Sequence, residues 1–261
     1  MLYVEDLSIK VHDKKSSGTL VYDVDLSMEQ GDIVGFVGES GSGKTLTALA
    51  IAGLLNRHTM ERKGHIIFEG INLLECDRRV LRKIQGNEIS MIFQEPLNSL
   101  NPLRRIGWQV EESLRIHTLM DKFERKERAL KALADVELDN PEAVYNSYPH
   151  ELSGGMRQRV MIASALIIEP KLLIADEPTT ALDVTIQAEI VELLKRINRE
   201  RKTSILFISH DLSLVNSLCD RVLVMQDGYV VESGDCNDIF HNPKKEYTKK
   251  LVAAIPVNPF D

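Results

Sequence analysis

Gly38, Glu39, Ser40, Gly41, Ser42, Gly43, Lys44 and Thr45 follow one another in the pattern G-x-x-x-x-G-K-[ST]. The chemistry this spacing offers is phosphate binding. Glycines let the backbone curl so that successive amide N–H groups converge on phosphate oxygens, and a helix starting directly after the loop adds partial positive charge. Lys44 can then reach the β- and γ-phosphates, and the Thr45 hydroxyl can ligate Mg²⁺. The plain alternative is a glycine-rich turn ahead of a helix. At average usage a chain this long meets the four fixed positions by accident about one time in a hundred.

Two further stretches could act on a bound phosphate. Asp176 and Glu177 close the apolar run 172–175. One carboxylate there can hold Mg²⁺ through water, and its neighbour can orient and deprotonate an attacking water. Phosphoryl transfer asks mainly for positioning and charge neutralisation, so these parts suffice in principle. Ser153, Gly154 and Gly155 precede a helical period and form a second helix start with exposed amides, hence a second anion site. A helix cap with Ser153 as the capping residue is the plain alternative. One chain does not need two such sites for one triphosphate, unless the second serves the nucleotide of another subunit.

Strand, loop, helix is the context a phosphate loop needs. Residues 33–37 are an apolar, β-prone run, and 46–55 read as a helix rich in Ala and Leu. Upstream, 7–11 and 20–28 alternate apolar and polar residues about a polar turn at 13–18, fitting two strands of a small antiparallel sheet. Residues 66–70 supply another strand and 89–93 a buried one, with Gln94 at its end. From 96 to 168 the period turns helical. Leu130, Leu133, Ala134 and Glu137 keep spacings of three and four, as do Met156, Val160, Ala163 and Ile167. The run 172–175 has the length and apolarity of a strand covered on both faces. A helix over 185–201 leads to a strand at 204–209, and 221–225 with 229–232 flank the hairpin signal Asp227-Gly228.

With 261 residues the chain can hold one large domain, or one domain carrying an inserted lobe. A net charge of −7 gives no electrostatic reason to expect a nucleic-acid partner. No window approaches the ~20 apolar residues of a membrane span, and 1–6 are no signal peptide, so a membrane role is expected to come through a partner. Cys76, Cys219 and Cys236 are scattered and odd in number, fitting neither a disulfide framework nor a metal knuckle.

The residues 38–45, Gln94, Leu152-Ser153-Gly154-Gly155, 173–177, Ala181-Leu182-Asp183 and His210 occur in the order and approximate spacing of the ATP-binding cassette of ABC transporters. The chain resembles that family over nearly its whole length. The resemblance implies an α/β fold: a P-loop NTPase (RecA-like) core with an N-terminal antiparallel β subdomain and an inserted α-helical subdomain. It implies a single domain over 1–261, with 1–95 and 169–261 forming the nucleotide-binding core and β subdomain, and 96–168 the helical signature subdomain. It further implies that ATP and Mg²⁺ are bound and ATP hydrolysed. Glu177 would be the general base, His210 would contact the γ-phosphate, and Gln94 would contact Mg²⁺ and the lytic water. Thr45, Gln94 and Asp176 would serve the metal. Two cassettes would meet head to tail, each phosphate loop closing on the partner's Ser153 stretch, with Asp183 reaching across the interface.

A finer match concerns 94–102, 153–159 and the ending from Ile239-Phe240-His241-Asn242-Pro243 through Glu246-Tyr247-Thr248 to 253–256. These are similar to the ATPase subunits of bacterial oligopeptide, dipeptide and nickel importers. The expected partners are therefore a second, homologous cassette in a heterodimer, two transmembrane permease subunits and, indirectly, an extracytoplasmic solute-binding protein. The expected place is the cytoplasmic face of the cell (inner) membrane. Peptide import is the leading reading; a nickel or other small-solute importer, and a soluble cassette ATPase acting on ribosomes or DNA, are the alternatives. Permease contact is expected over 95–106, which joins Gln94 to the helical lobe. Three departures stand out. Met156 replaces the common signature glutamine, no aromatic near Val11 and His12 offers itself for adenine stacking, and the cysteines lie apart from any C-terminal iron–sulfur arrangement, so no cluster is expected.

Overall fold

In the computed structural model, residues 1–13, 16–56, 58–94, 99–180 and 182–255 are described. They pack as two compact units, Met1–Asp77 with Ser204–Asp261, and Arg78–Thr203.

The first unit carries two sheets. Alternation buries Leu2 with Val4 and Leu7 with Ile9 along β1 (Leu2–Asp13), a register shift between Val4 and Leu7 making up the odd step, and the strand pairs antiparallel with β2 (Ser16–Met28) and with β4 (Met60–Phe68). β5 (Ile71–Asn72) completes this sheet in the order β2-β1-β4-β5. The ladder runs into the stretch 13–18 expected as a turn, pairing Val11↔Gly18, His12↔Ser17 and Asp13↔Ser16. The second sheet centres on β3 (Ile33–Val37), parallel to β8 (Ser204–Ile208) on one side and β9 (Arg221–Gln226) on the other. All five residues of β3 and all five of β8 are buried, which is why both read as uninterrupted apolar runs. β9 turns at Asp227-Gly228 into β10 (Tyr229–Asp235), the hairpin its sequence signals. α1 (Lys44–Ile51) follows β3 through the loop; it ends sooner than the expected 46–55, with Ala52 as cap and Gly53 in the left-handed region at φ 70°.

The second unit opens with α2 (Arg78–Ile84) and contains the parallel pair β6 (Ile89–Ile92) and β7 (Leu172–Asp176). Between these strands lie α3 (Ile106–Val110), α4 (Glu112–His117), α5 (Lys122–Asp135), α6 (Pro141–Asn146) and α7 (Gly154–Leu166). α8 (Val184–Arg201) follows β7. Both α3 and α5 pack on α7, whose Val160, Ile162 and Ala163 are buried. These helices share the unit with both strands and α8. One helical residue is corrected. Glu137 keeps the spacing of α5 but sits beyond its end, at φ 59°.

The first unit finishes with α9 (Leu212–Leu218), α10 (Cys236–His241) and α11 (Glu246–Ala253). The two short helices α10 and α11 carry no long apolar period, and only their motif similarity marked them in the sequence.

Candidate active site

In the first unit the loop after β3 is shaped by close approach. Gly38 lies at φ 145°, and a Cβ built there would stand 2.1 Å from the Met225 carbonyl oxygen of β9. Only glycine fits that place. Gly43, at φ 105°, is the N-cap of α1 and supplies no side-chain cap; a helix start of this kind favours an anion. Lys44 is buried, and its Nζ donates to the carbonyls of Gly38 (2.7 Å) and Glu39 (2.8 Å) and to Ser42 Oγ (3.3 Å). The ammonium is thus folded over the loop. Thr45, next in the helix, is exposed.

Two neighbours grip the loop from behind: Gly228 N–H donates to the Ser42 carbonyl (3.1 Å), and Glu39 N–H donates to the Tyr247 hydroxyl (3.0 Å). His210 follows β8 and is exposed. Since β8 is parallel to β3, His210 and the loop leave the sheet at the same edge, the carboxyl edge where ligands of such sheets bind.

In the second unit β6 and β7 end side by side, which brings Gln94 and Glu177 together. Gln94 Nε2 donates to Glu177 Oε2 at 2.9 Å, and Thr180 Oγ1 donates to the same oxygen at 2.9 Å. Glu177 sits at φ 46°, a left-handed backbone that costs an ordinary residue about 1–2 kcal/mol. Strain of this kind persists where surrounding contacts hold it, and here two side-chain donors and the Thr180 N–H to Glu177 carbonyl bond (3.2 Å) do so. Asp176, the last residue of β7, is buried.

Ser153 caps α7, its Oγ accepting from Met156 N–H at 3.3 Å. The helix start packs closely: a Cβ on Gly155 would lie 3.2 Å from Ile186 Cγ2, and one on Gly154 3.8 Å from Leu182 Cδ2. Asp183 caps α8 by accepting from Ile186 N–H at 3.0 Å. The signature stretch and Asp183 are therefore neighbours. Arg159, buried on α7, ties the two helices by donating to Glu189 at 2.6 Å, and it also reaches the Val136 carbonyl at 2.8 Å.

Residues 21–180 match the ABC transporter family. The chain belongs to that family. It is 48% identical over 258 residues to the oligopeptide transport ATP-binding protein AppD of Bacillus subtilis, spanning 98% of this chain and 79% of that protein. To the dipeptide transport ATP-binding protein DppD of Haemophilus influenzae it is 44% identical, over 98% and 78% of the two chains. A dimeric ATP-binding cassette solved in a post-hydrolysis state with ADP and Pi superposes at a TM-score of 0.81, with 29% identity over 90% of this chain and 99% of that one.

As an ABC ATPase the chain binds ATP and hydrolyses it. The α/β class, the antiparallel β subdomain and the helical subdomain are those expected from the sequence. The structure adds residues that the motifs did not supply with a role. Tyr247 and Arg159 stood within motifs and were given none; Tyr22 and Tyr229 stack with ring centres 4.3 Å apart, beside Gly228. Val11 is half-buried, while His12 is exposed and bonded to Glu61 Oε2 at 2.6 Å. Residues 95–98 and 181, part of the expected permease contact and of the Ala181-Leu182-Asp183 motif, lie outside the described residues, as does the tail from 256.

Proposed function

We propose that this ABC ATPase energises the import of oligopeptides or dipeptides, and that it does so by closing head to tail on a second, homologous cassette with Mg-ATP between them. The observation that carries the reading is the contact between Gln94 and the Glu177 carboxylate, which joins a water-positioning amide to a base at the end of two parallel strands. The cargo rests on relatives named for oligopeptide and dipeptide transport.

In this scheme the amides of 38–45 and the Lys44 ammonium bind the β- and γ-phosphates, leaving the loop carbonyls on which Lys44 now rests. Thr45, Gln94 and Asp176 offer the hard oxygen donors that Mg²⁺ prefers, and the ion supplies charge neutralisation at the phosphates. Among the described residues no group of three or more His, Cys, Asp or Glu is placed to hold a metal ion. Glu177 takes a proton from water as its oxygen bonds to the γ-phosphorus and the bond to ADP breaks. Gln94 orients that water, and His210 steadies charge on the γ-phosphate. The partner's Ser153, Gly154 and Gly155 close the other face, and Asp183 reaches across. ATP-driven closure moves two permease subunits, which an extracytoplasmic solute-binding protein loads.

Attachment to the cytoplasmic face of the membrane through the permeases is consistent with the absence, among the described residues, of any helix long and apolar enough to cross a bilayer. Phe93, Leu103, Trp108, Ile116, Leu119 and Phe123 are exposed apolar side chains of the second unit, and they cluster in sequence just after β6. Of these, Leu103 lies within the stretch 95–106 proposed for permease contact.

The test is reconstitution of the chain with its permeases and partner cassette in vesicles. Phosphate release should rise with a peptide-loaded binding protein, and Glu177→Gln with Mg-ATP should run as a closed cassette pair in light scattering. Stimulation by nickel instead of peptide, or co-purification with ribosomes or DNA in place of permeases, would overturn the proposal.

A further inference from the structure

We infer that Tyr247 of the C-terminal helix is a positioning residue for the phosphate loop, setting how tightly the loop holds its nucleotide. The inference rests on the reading that 38–45 bind ATP, and it concerns one peptide group. The Gly38 carbonyl and the Glu39 N–H belong to the same peptide plane. Its carbonyl accepts from Lys44 Nζ at 2.7 Å, and its N–H donates to the Tyr247 hydroxyl at 3.0 Å. The described chain has no cis peptide bonds, so the two groups point to opposite sides. The plane is therefore clamped between the lysine ammonium on one side and the phenol on the other.

These two clamps have different fates in the proposed cycle. Lys44 must turn from the Gly38 carbonyl to the phosphates when nucleotide binds. Tyr247 is then the side chain that still fixes the plane, and an amide committed to the phenol is not one that competes for phosphate oxygens. The loop's other grip, Gly228 N–H on the Ser42 carbonyl at 3.1 Å, comes from the β9–β10 hairpin and lies farther along.

Tyr247 is itself well placed to hold still. The Glu232 carboxylate of β10 accepts from two successive amides, Lys244 N–H at 2.8 Å and Lys245 N–H at 3.1 Å, and so docks the start of α11. Thr248, next to Tyr247, is fully buried. Burial also pushes the Tyr247 phenol up from its ordinary range, so the hydroxyl is neutral wherever the enzyme works. The C-terminal arm thus reaches the nucleotide loop through the Tyr247 hydroxyl.

Tyr247→Phe keeps the ring and removes that hydroxyl. A hydrogen bond of ordinary net strength corresponds to about a 3- to 10-fold effect, and the expected result is a Kd for Mg-ATP, by calorimetry on the purified chain, raised by that factor. In the reconstituted complex KM for ATP should rise in step while kcat stays within about two-fold, because the lost contact does not touch the reacting atoms. The Glu39 amide, followed by NMR, should exchange faster with solvent. Unchanged affinity for Mg-ATP, or a fall in kcat with KM unaltered, would overturn the inference. Lys44→Ala separates the two levels: if it weakens ATP binding while Tyr247→Phe does not, the Tyr247 role alone falls; if it binds ATP as tightly as the parent chain, the phosphate-loop reading falls and Tyr247 with it.

Discussion

A carboxylate serves as a base when its lone pairs are held in place, and at Glu177, the base we propose, both backbone and side chain are held. The residue is kept in the left-handed region while Gln94 and Thr180 both donate to Oε2. Glu177→Gln preserves shape but cannot accept a proton at neutral pH, so ATP binding should persist while turnover falls by roughly 10²–10⁴. Phosphate release beside equilibrium ATP binding measures this, and undiminished turnover would remove Glu177 from the role. Gly38 answers to a different constraint. With the Met225 carbonyl 2.1 Å from any added Cβ, Gly38→Ala must displace either β9 or the loop. The loss should be about 2 kcal/mol or more in urea unfolding, with weakened ATP binding, and a variant as stable as the parent chain would contradict the packing. At this scale the motif positions were legible because glycine, lysine and threonine at fixed spacing have few other uses. What stood against them was not, since the Met225 carbonyl and the Tyr247 hydroxyl come from remote chain with no periodicity to reveal them.

Helices α7 and α8 show how one residue can serve an element and a site together. Asp183 is expected to reach a partner's nucleotide, yet within its own chain it caps α8 at Ile186 N–H, and that helix start packs against Gly155. The two duties separate by substitution. Asp183→Ala should lower stability by about 1 kcal/mol through loss of the cap, whereas Asp183→Asn, an equally good cap, should leave it unchanged. If the carboxylate also acts across the interface, Asp183→Asn should still slow turnover in the assembled complex. Equal stability of the Ala variant and the parent would show the cap to be idle. Long elements such as α8 were readable to within a residue because eighteen residues repeat the apolar spacing enough times to fix both phase and ends. Short ones were not. The apolar pattern of α5 ran on to Glu137, but the chain had already left the helix there, drawn into ion pairs with Arg159 and Arg196. β5, of two residues, carries too few positions to show any period.

Across the whole molecule, ionisable groups set the pH range in which the fold is secure, and the two limits have opposite signs. On the acid side, the bond from Arg196 holds Glu137 below its usual value, and the bond from Tyr3 does the same for Glu29. A lowered folded value contributes stability above the unfolded value near 4.5, lost as pH falls through the folded one. Both side chains are largely exposed, so this limb should be shallow. On the alkaline side, burial first and the bond to Glu111 second push Tyr145 up to about 12. A raised folded value contributes stability that is complete below the unfolded value of 10.0 and is lost as pH climbs towards 12. Tyr145 is also a packing residue, since its ring covers Gly107 of α3 so closely that a Cβ there would meet it at 2.3 Å. Tyr145→Phe keeps the ring and deletes the hydroxyl, leaving the buried Glu111 carboxylate to Arg125. At neutral pH the variant should be about 1–2 kcal/mol less stable in urea, because a buried acceptor has lost its donor. Between pH 10 and 12 its stability should fall less steeply than that of the parent, and a tyrosinate absorbance titration of the folded protein should lose its component near 12. Parallel stability curves for the two proteins over that range would show that Tyr145 titrates alike folded and unfolded, and would place the alkaline limit elsewhere.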